Sequence, residues 1–212
     1  MRRVGWAAWL VVGSCAAAMA DDDGWISLFN GQNLDGWTFH LDAPDAKASD
    51  VWSVVDGTLV CKGRPIGYLR TTDDFTNYVL KLEWKLDPAL GAGNSGVLLR
   101  MVGEDKVWPK SIEAQLQSEN AGDFWNIDKF QMEVDADRTE GRRTKKLQPT
   151  NEKPLGGWNE YEITVDHGTV TLRVNGQVQN VATGCAEVPG KICLQSEGAA
   201  IIFRDIKLKP LD

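Results

Sequence analysis

Apolar residues in this chain recur at every second position over short runs, and no long stretch carries the 3.6-residue period of an amphipathic helix. The runs are rich in Val, Ile, Thr, Tyr and Trp and are bounded by Gly, Asn, Asp or Pro, which is how strands are punctuated. The pattern predicts strands over Trp25–Phe29, Val51–Val55, Thr58–Cys61, Tyr78–Leu86, Gly96–Val102, Ser111–Gln117 and Phe130–Val134. Further strands are predicted over Asn159–Asp166, Thr169–Val174, Lys191–Gln195 and Ala200–Leu208. Asp56-Gly57 and Asn175-Gly176 fall between such runs and suit two-residue hairpin turns, whose central residues both need positive φ. His167-Gly168 is a third turn. About a dozen strands at this spacing indicate an all-β fold, an antiparallel β-sandwich.

Two segments stand outside that pattern. Met1-Arg2-Arg3 is basic, residues 4–19 are apolar or small, and Ala18-Met19-Ala20 precedes three aspartates. This is the layout of a secretory signal peptide cleaved after Ala20, which leaves residues 21–212 as one domain and implies an exported, periplasmic or extracellular protein. A competing reading places a lipid on Cys15 within Val12-Gly13-Ser14-Cys15. The second segment, residues 135–154, is a polar, charged loop whose Arg142-Arg143 and Lys145-Lys146 could hold phosphate or merely face solvent.

Composition narrows the partners more than the fold. The 212 residues carry a net charge of −7, and without Arg2 and Arg3 it becomes −9, with 21 bases against 30 acids. That balance argues against nucleic acid and against anionic lipid. Cys61, Cys185 and Cys193 remain after the leader. Cys185 and Cys193 could close one hairpin disulfide or the thiols could be small core residues, but three make no disulfide framework and their spacing fits no metal knuckle. Only His40 and His167 are present, which disfavours a histidine metal cluster or a Ser–His–Asp triad. No cofactor is implied. An oxygen-only Ca²⁺ site using Asp123 or Asp128 stays open, without an EF-hand spacing to support it. Oligomeric state is not legible.

Several phrases resemble one family. Trp25-Ile26-Ser27-Leu28-Phe29-Asn30-Gly31, Leu34-Asp35-Gly36-Trp37, Leu82-Glu83-Trp84-Lys85 and Gly93-Asn94-Ser95-Gly96-Val97 come first. Val107-Trp108-Pro109-Lys110-Ser111-Ile112-Glu113-Ala114-Gln115-Leu116, Ala121-Gly122-Asp123-Phe124-Trp125, Gly157-Trp158-Asn159 and Leu194-Gln195-Ser196-Glu197-Gly198 follow in order. Over roughly residues 24–210 the chain resembles the 3-keto-disaccharide hydrolase domain family. The resemblance implies a concanavalin/laminarinase-like jelly roll acting on sugars whose C3 hydroxyl is oxidised to a ketone. Many members read Leu-Gln-Asp-His-Gly where this chain has Ser196 and Glu197, so any role of that histidine is absent or altered here.

The implied chemistry sets what to look for. A C3 ketone acidifies the C2 proton, so one carboxylate can abstract it, and the enolate can expel the C1 substituent before water adds back. Such a site needs a base near C2 and a charge stabiliser at the C3 oxygen, not the two opposed carboxylates of ordinary glycosidases. Strand alternation sorts the candidates by face. It nominates Glu113 as general base and Arg100 as enolate stabiliser, with Glu83, Gln115 and Gln195 positioning the sugar. Asn94 either binds sugar hydroxyls or forms its turn. Trp108 and Trp125, in predicted loops, are sugar-stacking candidates, while Trp84 reads as core and Trp37, Trp52 and Trp158 as packing pieces. Two alternatives remain: a non-catalytic carbohydrate-binding module, and a laminarinase-type glycosidase, weakened because Ile112–Leu116 carries one carboxylate.

Overall fold

The computed structural model describes residues 23–212, so the leader and Cys15 lie outside the described residues. Sixteen strands form nearly all of the regular structure among the described residues. In chain order they are β1 Ile26–Ser27, β2 Trp37–Leu41, β3 Trp52–Val55, β4 Thr58–Cys61, β5 Gly67–Thr71, β6 Tyr78–Leu86, β7 Gly96–Val102 and β8 Lys110–Gln115. Then come β9 Phe124–Ile127, β10 Thr139–Glu140, β11 Arg143–Thr144, β12 Asn159–Asp166, β13 Thr169–Val174, β14 Gln177–Ala182, β15 Lys191–Ser196 and β16 Ile201–Pro210. One helical turn, α1 Ala48–Val51, leads into β3.

They form two antiparallel sheets, so the predicted β-sandwich is what the chain adopts. The first runs β14-β13-β12-β6-β16-β4-β3, with β1 also on β16; the second runs β10-β11-β9-β8-β7-β15-β5-β2. The hairpin dipeptides do what their chemistry requires: Asp56, Gly57, Asn175 and Gly176 all have positive φ, as does His167. Phe130–Val134 is the predicted strand that does not form; only Glu133 makes a bridge, to Thr183.

The two sheets differ in how they use their faces. In β6 burial alternates residue by residue, with Tyr78, Leu80, Leu82, Trp84 and Leu86 inside and the intervening residues outside, as expected when one face packs and the other meets water. In β7 every residue from Gly96 to Met101 is buried. Val97 and Leu99 join the inter-sheet core, whereas Leu98 joins Tyr68, Met101, Ile127 and Cys193 in a second apolar cluster on the opposite face. A loop of residues 103–109 reaches over this face: Asp105 accepts hydrogen bonds from Tyr68 Oη at 2.8 Å and from Arg70 Nε and Nη2 at 2.9 Å each. Part of the second sheet's outer face is therefore roofed, and the rest is left for polar groups.

Residues 135–154 are ordered around one buried carboxylate. Asp123 takes hydrogen bonds from Arg143 Nε and the Lys146 backbone N–H at 2.7 and 2.8 Å, and Lys145 pairs with Glu140. Most of the basic run is thus spent within the loop rather than offered as a phosphate site. Asp128 pairs with Lys106, so neither candidate Ca²⁺ ligand presents a free carboxylate, and no cluster of three metal-ligating side chains occurs among the described residues.

Candidate active site

Glu113 lies near the middle of the second sheet, opposite Leu98 on β7 and Trp125 on β9. Its side chain is on the face turned away from the core. Gln195 projects from the same face of β15, two residues beyond Cys193, which stands opposite Leu98. Between them sits Gly96. A Cβ there would lie 2.3 Å from Gln195 Oε1 and 2.6 Å from Glu113 Oε1, so both side chains occupy space that any other residue would fill. Glycine at 96 is a requirement of the polar pair and not of backbone conformation.

Both groups are buried but unspent. Glu113 is 4% exposed and Gln195 1%, yet Glu113 Oε1 and both polar atoms of the Gln195 amide lack hydrogen-bond partners. Buried polar atoms are almost always paired, and three orphans at one point mark a surface shaped for something else. Burial pushes the Glu113 carboxyl up to about 8, and the nearby charge of Glu197 adds to the rise. The Gln195 amide and the Arg142 guanidinium act the other way. Gln195 closes no hydrogen bond of normal geometry, so its effect is that of a nearby dipole.

Two participants were not anticipated. Glu197, just past β15, lies close enough to Glu113 for its charge to act on that carboxyl, and burial raises its own to about 7 against the opposing pull of Arg142. Arg142, in the β10–β11 turn, stands 5.6 Å over the Trp125 ring. It is the cation that faces both carboxyls. Beside them a hollow of about 370 Å³ is lined by Asn94, Gln117 and Glu197 among others, and Asn94 Oδ1 is buried there without a partner. The departure from the family phrase at Glu197 was the available signal for the first. For Arg142 the signal was only its place in a charged loop, since its approach depends on how Asp123 folds that loop.

Three nominated residues lie elsewhere or are already committed. Arg100 is fully buried. The β7 register shifts between Leu99 and Val102 and the residue takes φ 49°, so the alternation used to orient it is broken. Its guanidinium donates to the carbonyls of Ala186 and His167 at 2.7 Å, to that of Thr76 at 3.0 Å and to Asn77 Oδ1 at 3.2 Å. It ties loops together and has no free donor face for an enolate. Glu83 is on β6, in the other sheet, paired with Arg204 at 2.5 Å. Gln115 shares the correct face, but its Oε1 accepts from the backbone N–H of Leu116 and Gln117, 2.8 Å each, closing the strand end.

The tryptophans divide similarly. Trp37, Trp52 and Trp84 are core. Trp158 is on the outer surface of the first sheet, between Arg204 at 4.0 Å and Lys85 at 4.7 Å, because β12 begins beside it. Trp125 stands next to Glu113 with its Nε1 unpaired, and Trp108 is 39% exposed in the roofing loop. The structure therefore gathers Glu113, Gln195, Asn94 and Trp125 at one place, with Trp108 in the loop across the same face.

Known structures share this architecture. A protein assigned as a glycosyl hydrolase from Parabacteroides distasonis ATCC 8503 is 24% identical with a TM-score of 0.64, covering 90% of this chain and 95% of its own. A β-glucanase from Bacillus licheniformis is 11% identical with a TM-score of 0.60, covering 89% and 97%. The carbohydrate-binding module CBM66 from Bacillus subtilis is 8% identical with a TM-score of 0.59, covering 82% and 95%. At these identities the likeness is one of fold. No curated protein matches the sequence closely enough to count as a relative. The phrases noted in the sequence find their counterpart over residues 24–209, which match the 3-keto-alpha-glucoside-1,2-lyase-like domain, and the chain belongs to that family.

Proposed function

We propose that the protein cleaves the glycosidic bond of 3-keto-glucosides or 3-keto-disaccharides, with Glu113 taking the proton from C2. The observation that carries this reading is the buried, unpartnered Glu113 carboxyl beside Gln195, in the space left by Gly96. A carboxylate with a pKa near 8 is a stronger base than an ordinary one, and removing a proton next to a ketone demands that. Gln195 and Asn94 offer hydrogen-bonding groups to sugar hydroxyls, and the Trp125 face suits the C–H side of a ring. The sugar is a small one, seated at the open end of a face that residues 103–109 otherwise cover. Export from the cytoplasm, with mature protein starting at Asp21, belongs to the same reading and is checked by the N-terminal sequence of secreted material.

The decisive assay incubates purified protein with a 3-keto-glucoside and with the unoxidised glucoside. Release of the aglycone from the first alone is expected. Release from the second would favour an ordinary glycosidase, and binding without release would favour a carbohydrate-binding module on this fold.

Arg142 takes the part first given to Arg100. As the enolate forms, negative charge builds on the C3 oxygen, and a guanidinium placed over Trp125 can meet it. Arg142→Met is expected to lower kcat by about 10–100-fold with little change in KM or melting temperature, because the side chain is exposed and holds no core contact. A KM effect with unchanged kcat would make Arg142 a binding group instead.

A further inference from the structure

Abstraction at C2 leaves half of the reaction unserved: the bond from C1 to the aglycone oxygen must break, and an alkoxide is a poor leaving group without a proton. Glu197 is placed to give one. It lies just past Gln195 and the end of β15, near enough for its charge to act on Glu113, at the wall of the roughly 370 Å³ hollow. No ion pair or hydrogen bond among the described residues ties down its carboxyl. Glu113 is the deeper of the two, 4% exposed on the sheet, while Glu197 is half-buried at the wall of the hollow.

The backbone around Glu197 is held firmly. Ser196 Oγ donates to the Pro65 carbonyl at 2.8 Å, and the Gly198 N–H donates to the Gly63 carbonyl at 2.6 Å. Glycines make room for the segment on both sides: a Cβ at Gly63 would meet Ala199 backbone at 2.2 Å, and one at Gly93 would meet the Ala199 Cβ at 2.1 Å. The carboxyl is thus presented on a clamped turn, with the Arg142 guanidinium drawing its pKa down against burial.

Resting on the function proposed above, we infer that Glu197 is a second catalytic residue, giving its proton to the glycosidic oxygen as the C1–O bond breaks while Glu113 holds the proton taken from C2. The bookkeeping of atoms closes. Glu113 carboxylate removes H from C2, and the C–H electron pair becomes an enolate with its charge on the C3 oxygen. That charge returns, the C1=C2 double bond forms, and the C1–O pair departs onto the aglycone oxygen, which takes the Glu197 proton. Glu113 is now protonated and Glu197 ionised. If water then adds at C1, Glu197 accepts its proton and Glu113 returns one to C2, restoring both groups and giving net hydrolysis. If the enone leaves first, one proton passes between the carboxyls through solvent and the outcome is a lyase. Burial raises both carboxyls, Glu113 to about 8 and Glu197 to about 7, so between those values the pair shares one proton, and the reactive form is the one in which Glu197 holds it and Glu113 is ionised.

The two half-reactions can be read separately with methyl 3-keto-glucoside in D₂O. Exchange of the C2 proton, followed by NMR, reports Glu113; methanol release reports the whole sequence. Wild-type protein is expected to do both. Glu197→Gln should retain C2 exchange within about fivefold while methanol release falls about 10²–10⁴-fold, and a 4-nitrophenyl aglycone, which needs no acid, should restore release. Loss of exchange and release together, or of neither, overturns the assignment of Glu197 while leaving Glu113 in place. A wild-type protein that neither exchanges nor releases removes the proposed function and this inference with it. The wild type supplies a check independent of the variant: its alkaline limb should be present for the methyl glucoside and missing for the nitrophenyl one. Glu113, Gln195 and Arg142, together with Arg64, whose guanidinium reaches the neighbouring Gly198, surround Glu197 and are common to both substrates.

Discussion

Glu113→Gln is expected to stop turnover of a 3-keto-glucoside, lowering kcat by about a thousandfold, while yielding a folded protein that melts higher than wild type at alkaline pH. The first effect follows from removing the base. The second follows from the burial that makes it one. The folded carboxyl titrates near 8 against an ordinary 4.5, so below pH 4.5 both folded and unfolded chains hold the proton and nothing is lost. Between pH 4.5 and about 8 the unfolded chain releases it and the folded one keeps it, so stability falls as pH rises; above 8 the full cost is present. Glutamine does not titrate. At pH 9 the variant should melt about 10–20 °C higher, and at pH 4 about equally. Calorimetry at the two pH values, together with product release, checks this. Full turnover in the variant removes Glu113 as the base, and a pH-independent difference in melting removes the account of its burial.

Arg100→Met should produce the opposite pattern, a large loss of stability with little change in the chemistry. Methionine fills much of the volume but supplies no donors, so the carbonyls of Thr76, Ala186 and His167 and the Asn77 amide oxygen lose their partner inside the protein. The expected cost is about 3–5 kcal/mol, equivalent to about 6–20 °C in melting temperature for a domain of this size. Measured below its transition, the remaining folded enzyme should keep kcat within a few-fold and an unaltered pH profile. A protein that melts normally and has lost kcat would return Arg100 to the enolate.

These two residues show where strand alternation can be read and where it fails. Glu113 was legible because Ser111–Gln115 is regular: Ile112 and Ala114 face the core, so Glu113 must face away. Arg100 was misread because β7 shifts register at that point, and a bulge inverts every inference made by counting in twos. Glu83 failed differently. Its face was read correctly, but β6 pairs with β12 and β16, and the chain crosses to the other sheet before β7 begins. Strand bounds such as Thr58–Cys61, Tyr78–Leu86, Gly96–Val102 and Asn159–Asp166 are legible to the residue, because hydrophobic alternation and turn dipeptides are local. β2, β5, β9, β10 and β11 escaped notice, and β14 was implied only by its hairpin turn; Gly67-Tyr68-Leu69-Arg70-Thr71 does not alternate. Which strands become neighbours is not local, and the meeting of Glu113 with Glu197 and Arg142 depends on it.

The three thiols have a consequence for the conditions under which this protein can exist. Cys61 belongs to the inter-sheet core, Cys193 to the cluster on the other side of the second sheet, and Cys185 lies near the Thr183 carbonyl. All three are free and buried, and burial pushes each thiol up, Cys185 to about 11. Thiolate is the form that attacks disulfides and meets oxidants, so these groups stay inert in oxidising and reducing surroundings alike. The sandwich of residues 23–212 is therefore held by the packing and hydrogen bonds of its two sheets, not by a cross-link among these three thiols.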